Sequence, residues 1–170
     1  MSEPKREYSE LKLARGLIFH QDHILLVQNL ELGHFYLPGG KVDPGESVLT
    51  ALIREFQEEL AWQIRPMKFL GCYENAWRHP KKSGILVDIL EMNFLWTCER
   101  LDGELNLKTP DSMEKKISFH WAKLSEIQNL QLLPSELKEI LPRLHRELNQ
   151  GKIQTFWGTS LKPQVAQHYR

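Results

Sequence analysis

Apolar and polar positions fall into short blocks along this chain, with one clearly helical stretch near its first third. Residues 11–19 and 23–27 are rich in apolar and β-branched side chains and predict two strands, with polar residues 21–23 as a hairpin turn between them. Residues 34–37 predict a brief strand. LPGGKVDPGE, residues 37–46, has enough glycine and proline to break both helix and strand, and predicts an ordered loop. Residues 47–60 are helical: Leu49, Leu52, Ile53, Phe56 and Leu60 recur at helical spacing as one apolar stripe, and Ser47 suits the N-cap. Two long strands follow, near residues 67–77 and 85–98, joined by the polar RHPKKSG. Residues 101–116 form a long polar connection, of the kind that often carries function in compact domains. Residues 117–122 predict a further strand, and residues 124–129 and 135–148 the last helices. Residues 150–170 have no period. Strands with helices on either side predict one layered domain of α/β or α+β class over residues 11–148. Residues 1–10 read as a polar lead-in, and 149–170 as a tail packing on or extending from the domain.

Composition narrows the function. The 170 residues suit one domain with its own core. Apolar residues make up 41% and charged residues 26%, ordinary for a soluble protein. Twenty-two basic residues balance 22 acidic ones, so no net field draws long nucleic acid. A small anionic substrate would need a local cation, which a metal supplies. Cys72 and Cys98 are too few for a disulfide scaffold and lack metal-site spacing, which points to a reducing cytoplasm. No apolar stretch is long enough to span a bilayer, and the start, MSEPKREYSE, is unlike a signal peptide, so no membrane partner is expected.

The helix over residues 47–60 is unusual as a charged object. Glu55, Glu58 and Glu59 stand at i, i+3 and i+4 and share one side, with Ala51 one turn earlier leaving room for a ligand. Like charges at that spacing repel by a few tenths of a kcal/mol, about 0.2–0.5 per pair. Glu58 and Glu59 also lie at the end of the helix that disfavours anions. A hard divalent cation relieves both penalties. The plainer reading is a solvated face with an Arg54–Glu58 pair. The preceding loop shifts the balance, because Gly39, Gly40 and Gly45 allow close backbone approach.

Gly40, five residues, Glu46, seven residues and then Arg54-Glu55-Phe56-Gln57-Glu58-Glu59 resembles the Nudix box. Eight of its nine specified positions agree over 23 residues, and LPGG before it is also family-like. Ala61 departs from the pattern, where the family has a glycine that helps end the helix in a left-handed conformation. Alanine reaches that conformation at a cost of about 1 kcal/mol. No catalytic side chain is lost.

The resemblance implies a Nudix-type α/β/α sandwich with a mixed β-sheet. It implies a hydrolase that cleaves a diphosphate linkage in a nucleoside di- or triphosphate-linked substrate, by water attack at phosphorus. Glu55, Glu58 and Glu59 would ligate Mg2+, or Mn2+ in its place, with the Gly40 carbonyl completing the shell. Glu46 would brace the box through Arg54. The base that activates water is Glu55 or an acid on the long loop: Glu114, Asp111 or Glu104. Phe35, Tyr36, Trp77 and Trp96 are candidate base platforms, and Arg78, His79, Lys81 and Lys82 candidate contacts to the distal substrate; Tyr36, Trp77 and Arg78 head that substrate-binding set. The partner implied is a small nucleotide, with a homodimer left open. The competing reading, a catalytically weak Nudix module that binds nucleotides as a sensor, expects damage in the REFQEE segment, which is whole here.

Overall fold

A computed structural model describes residues 6–81 and 83–161. The elements in order are β1 (Arg6–Leu17), β2 (Phe19–His20), β3 (His23–Asn29), β4 (Phe35–Tyr36), β5 (Gly39–Lys41), α1 (Val48–Leu60), β6 (Ile64–Pro80), β7 (Leu86–Arg100), β8 (Ile117–Lys123), α2 (Leu137–Asn149) and β9 (Phe156–Thr159). They form two sheets. One has the order β5-β1-β7-β6-β9 and is mixed: β1 runs parallel to β7 and β9 parallel to β6, while β1–β5 and β6–β7 are antiparallel. The other joins β2, β3 and β4 and adds β8 along β3.

Strand pleat sorts the core into two layers. On β3, Leu25 and Val27 join α1 residues Ala51, Leu52 and Phe56, while Ile24 and Leu26 join α2 residues Leu137, Leu141 and Leu144. Successive side chains point to opposite faces, so a run of four apolar residues serves both layers. The result is the expected α/β/α sandwich with a mixed sheet, and among the described residues no helix is long and apolar enough to cross a membrane.

Several sequence expectations need correction. Residues 6–10 are not a loose lead-in: they are the first half of β1, in register with Leu86–Leu90 on β7. Their composition is polar, and it is the pairing with β7 that makes them a strand. Gly39–Lys41, expected as loop, pairs with Leu13–Arg15 as a short strand. The helix expected over residues 124–129 is a single 3₁₀ turn, Ile127–Asn129. In the tail, β9 adds a strand beside β6, so at least residues 156–159 pack on the domain. Lys82, the first five residues and residues 162–170 lie outside the described residues.

The face of α1 also differs. Leu49 and Ile53 are exposed, at 39% and 43%, whereas Ala51 and Glu59 are buried. The inward side is set by Phe56 and Ala51 packing on Ala14 of β1 and on Ile18 just after it, and it is turned toward Glu59. The space expected beside Ala51 is therefore core rather than room for a ligand. Both helix ends behave as the sequence suggests. Ser47 accepts a hydrogen bond from the Thr50 backbone N–H, and Ala61 is left-handed at φ 55° and ψ 26°.

Candidate active site

The site is built where β5 and its following loop meet the outer turns of α1. Arg54 is the clip. Its Nε and Nη2 donate to the two oxygens of Glu46 at 2.9 Å each, the bidentate arrangement expected of this pair. Nη2 also reaches the Lys41 carbonyl at 3.0 Å, and Nη1 donates to Glu55 Oε1 at 3.0 Å and Glu58 Oε2 at 3.1 Å. One side chain thus ties the loop to the helix and holds two of the three box carboxylates. These bonds raise the Arg54 pKa, and Arg54 in turn holds Glu46 below the usual carboxylate range.

The three glutamates occupy different environments. Glu58 is exposed on the Arg54 side. Glu55 is partly buried, and burial raises its pKa against the pull of Arg54. Glu59 is buried, at 7% exposure. Burial first, and then the charges of Glu55 and Glu114, push its pKa up to about 8, while Arg15 and the Gly39 backbone N–H act in the opposite direction. Its Oε2 is buried without a hydrogen-bond partner. A buried carboxylate oxygen left unpaired costs the desolvation of that group, and a hard cation is the partner that removes the cost. Gly40 lies directly against Glu55: a Cβ on Gly40 would collide with the Glu55 carboxylate.

These observations fit a divalent cation at Glu55 and Glu59, both oxygen donors. Among the described residues, no three acidic, histidine or cysteine side chains stand together as a ready metal-holding group. The physical reason is local. The Arg54 guanidinium lies between Glu55 and Glu58 and draws Glu58 outward. Glu58 Oε2 is engaged by Arg54 rather than turned to Glu59.

Other sequence candidates divide sharply. Glu114 is exposed, yet near enough to Glu59 and Tyr36 for its charge to raise the pKa of both. The long loop is pinned there: the Met113 backbone N–H donates to the Glu59 carbonyl at 2.8 Å. Asp111 lines a cavity of about 340 Å³ beside Trp62, Arg100 and Lys108 at the end of α1. Tyr36 is in the site; burial and Glu59 raise its phenol to about 12. Trp77 and Arg78 are not brought there. Trp77 shares a row with Ile89 and Ser9, five positions along β1 from Ala14, which pairs with Gly40. At ~3.4 Å per strand residue that is about 17 Å. Arg78 is bound to Asp88 at 2.6 Å instead.

Arg15 and Asn93 escaped the sequence reading. Arg15 donates to the carbonyls of Gly39 and Leu37 at 2.8 and 3.1 Å and to Asn93 Oδ1 at 3.2 Å. The available signal was one charge inside an apolar strand, LARGLIF.

A profile of the NUDIX domain matches residues 10–144, which contain the whole site. The chain belongs to the Nudix hydrolase family. The Bacillus subtilis Nudix hydrolase YvcI, itself uncharacterized, is 30% identical over 115 residues, which cover 68% of this chain and 67% of YvcI. The human 8-oxo-dGDP phosphatase NUDT18 is 39% identical over 59 residues, 33% of this chain but only 18% of that relative. The fold matches the crystal structure of the MutT protein from Bacillus halodurans with a TM-score of 0.60 at 21% identity, over 88% of both chains.

Proposed function

We propose that this Nudix hydrolase uses Mg2+, or Mn2+ in its place, to hydrolyse the diphosphate linkage of a small substrate carrying a nucleoside diphosphate unit. The observation that carries the reading is the buried, unpartnered Oε2 of Glu59 beside Glu55, under a loop whose Gly40 has no side chain to intervene. Residues Glu55, Glu59 and, once freed from Arg54, Glu58 would hold the cation, with the Gly40 carbonyl as a further donor. A cation held there neutralises the charge that builds on a diphosphate during displacement.

The chain's own groups have separate tasks. Glu46 and Arg54 keep the loop and helix in register, which holds Glu55 against Gly40. Tyr36 offers an aromatic face beside Glu59. A carboxylate must take a proton from the attacking water. Glu114 is the best placed of the loop acids, facing Glu59 from solvent where it stays open to water. The nucleoside diphosphate class is favoured by the name of the human relative, 8-oxo-dGDP phosphatase. Cys72 and Cys98 are both free thiols, which supports work in a reducing cytoplasm.

The test is a product assay over nucleoside diphosphates, triphosphates and diphosphate sugars, with Mg2+ and with chelator. Release of orthophosphate, pyrophosphate or a sugar phosphate, dependent on the cation, identifies the scissile bond. Full turnover in chelator removes the cation from the mechanism. Tight nucleotide binding without turnover on any substrate moves the chain to the sensor reading.

A further inference from the structure

We propose that Arg15 is a positioning residue for the cation site: its guanidinium clamps the turn at residues 37–39 and so fixes the backbone against which Glu55 and Glu59 are set. The inference rests on the cation-dependent reading above.

Arg15 pairs with Gly39 across the β1–β5 ladder, and its side chain folds back to bind that same residue's carbonyl. One nitrogen, Nη1, bridges the Gly39 and Leu37 carbonyls, and Nε is held by Asn93 of β7. Asn93 is buried and is anchored in turn by donating to the Tyr73 carbonyl at 3.3 Å. The guanidinium also lies 5.4 Å from the centre of the Tyr36 ring. Strands β4, β5 and β7 and the turn at Leu37 therefore converge on one planar group. The turn it supports is demanding. Gly39 has φ +112°, and a Cβ there would collide with the Ala14 carbonyl, so the conformation depends on its surroundings. Gly39 N–H faces the Glu59 carboxylate, and Gly40 lies against Glu55. A slip of this turn moves both carboxylate contacts at once.

Charge argues the other way, which makes the inference testable. Arg15 is a cation close enough to Glu55 and Glu59 to interact with both. By Coulomb's law alone it repels a metal ion and weakens its binding. The geometric role and the charge therefore have opposite signs. Lysine keeps the charge but lacks the planar fork that bridges two carbonyls and an amide oxygen; methionine removes both.

The experiment titrates Mn2+ by electron paramagnetic resonance, without substrate, against wild type, Arg15→Lys, Arg15→Met and Asn93→Ala. Each is measured well below its own melting temperature. Arg15→Lys and Arg15→Met should both weaken Mn2+ binding, by about 10- to 100-fold, the range for residues that orient metal ligands. Asn93→Ala, which leaves the charge in place and frees Nε of Arg15 along with the Tyr73 carbonyl, should shift binding the same way by less, and it carries the test if the Arg15 variants do not fold. Unchanged affinity in Arg15→Lys with tighter binding in Arg15→Met would reduce Arg15 to a charge and overturn the proposal. Lower melting temperatures with unchanged affinities in every variant would make it a structural residue only. In both cases a wild type that binds Mn2+ and turns over with Mg2+ leaves the cation-dependent reading intact. A wild type that binds no Mn2+ removes that reading first.

Discussion

The loop and helix around residues 37–60 and the outer hairpin of β6 and β7 are both rich in charge, yet they spend it differently. In the first region one cation, Arg54, is shared among several carboxylates. Arg54 alone reaches Glu46, Glu55, Glu58 and the Lys41 carbonyl, and Glu59 is buried with one oxygen unpaired. In the second, Arg78 makes a surface pair with Asp88 and Trp77 is 40% exposed. Exposed pairs contribute little because water screens them and the side chains lose entropy in pairing. The first region stores unfavourable electrostatics that a cation can release; the second stores almost none. Function is expected where the frustration is.

Breaking the frustrated region at its deepest point gives the largest effect. Glu59→Gln should abolish measurable turnover, since it removes a hard anionic oxygen from the place a cation is needed. Its effect on the metal-free protein should have the opposite sign. The folded pKa of Glu59, about 8, lies above its ordinary value of 4.5, so the folded state binds the extra proton between these two values. Its contribution to stability is full below about pH 4.5, falls as the pH rises toward 8, and is level above. The neutral amide removes this decline. Melting curves in chelator should diverge over that window, with the variant gaining on wild type as pH rises. Glu46, held low by Arg54, acts on the acid side: its contribution is lost as pH falls below the normal carboxylate range. Parallel curves for wild type and Glu59→Gln would show that Glu59 is not frustrated.

The next effect tests whether the long loop belongs to the same region. Glu114 reaches Glu59 by charge, and Met113 is pinned to the Glu59 carbonyl. If Glu114 takes the proton from water, Glu114→Gln should lower kcat by roughly 100-fold or more while KM moves little. A small loss at Glu114 beside a large one at Asp111 or Glu104 would transfer the role along the loop. Arg54→Ala should follow, with kcat/KM falling about 10- to 100-fold. The melting temperature should fall too, because the tie between loop and helix is cut. Wild-type values of both would make the Glu46–Arg54 pair ornamental.

Much of this was legible in the sequence because spacing along a helix is spacing in space. Glu55, Glu58 and Glu59 at i, i+3 and i+4 and the Ser47 cap follow from local geometry, while the Glu46–Arg54 pair was implied by the resemblance to the Nudix box. What spacing could not tell was depth. The apolar stripe seemed to run through Leu49 and Ile53, but Phe56 packs on β1 in a way that turns the inward face toward Glu59. The helix buries a carboxylate and exposes two aliphatic residues, the reverse of what composition favours. Long-range contacts were also out of reach. Arg15 and Asn93 are 78 positions apart, and nothing local marks them as partners. Residues 6–10 hid a strand because their partner, β7, lies some 80 residues downstream.

The smallest effect belongs to the outer hairpin, and it sharpens the comparison by its size. Arg78→Ala removes an exposed ion pair, and Trp77→Ala removes a ring that is 40% exposed. Surface pairs of this kind are worth about 0–1 kcal/mol, and surface substitutions usually shift stability by about 0.5 kcal/mol or less. The row containing Trp77 is about 17 Å along the strands from the row containing Gly40, by ~3.4 Å per residue. A single nucleotide diphosphate bound at Glu59 has little reach to spare over that distance. Both variants should therefore keep wild-type kcat and KM on the best substrate from the nucleotide panel. A rise in KM at either position, with kcat unchanged, would mean that substrate extends to the hairpin, and would favour a long substrate with a second group beyond the diphosphate.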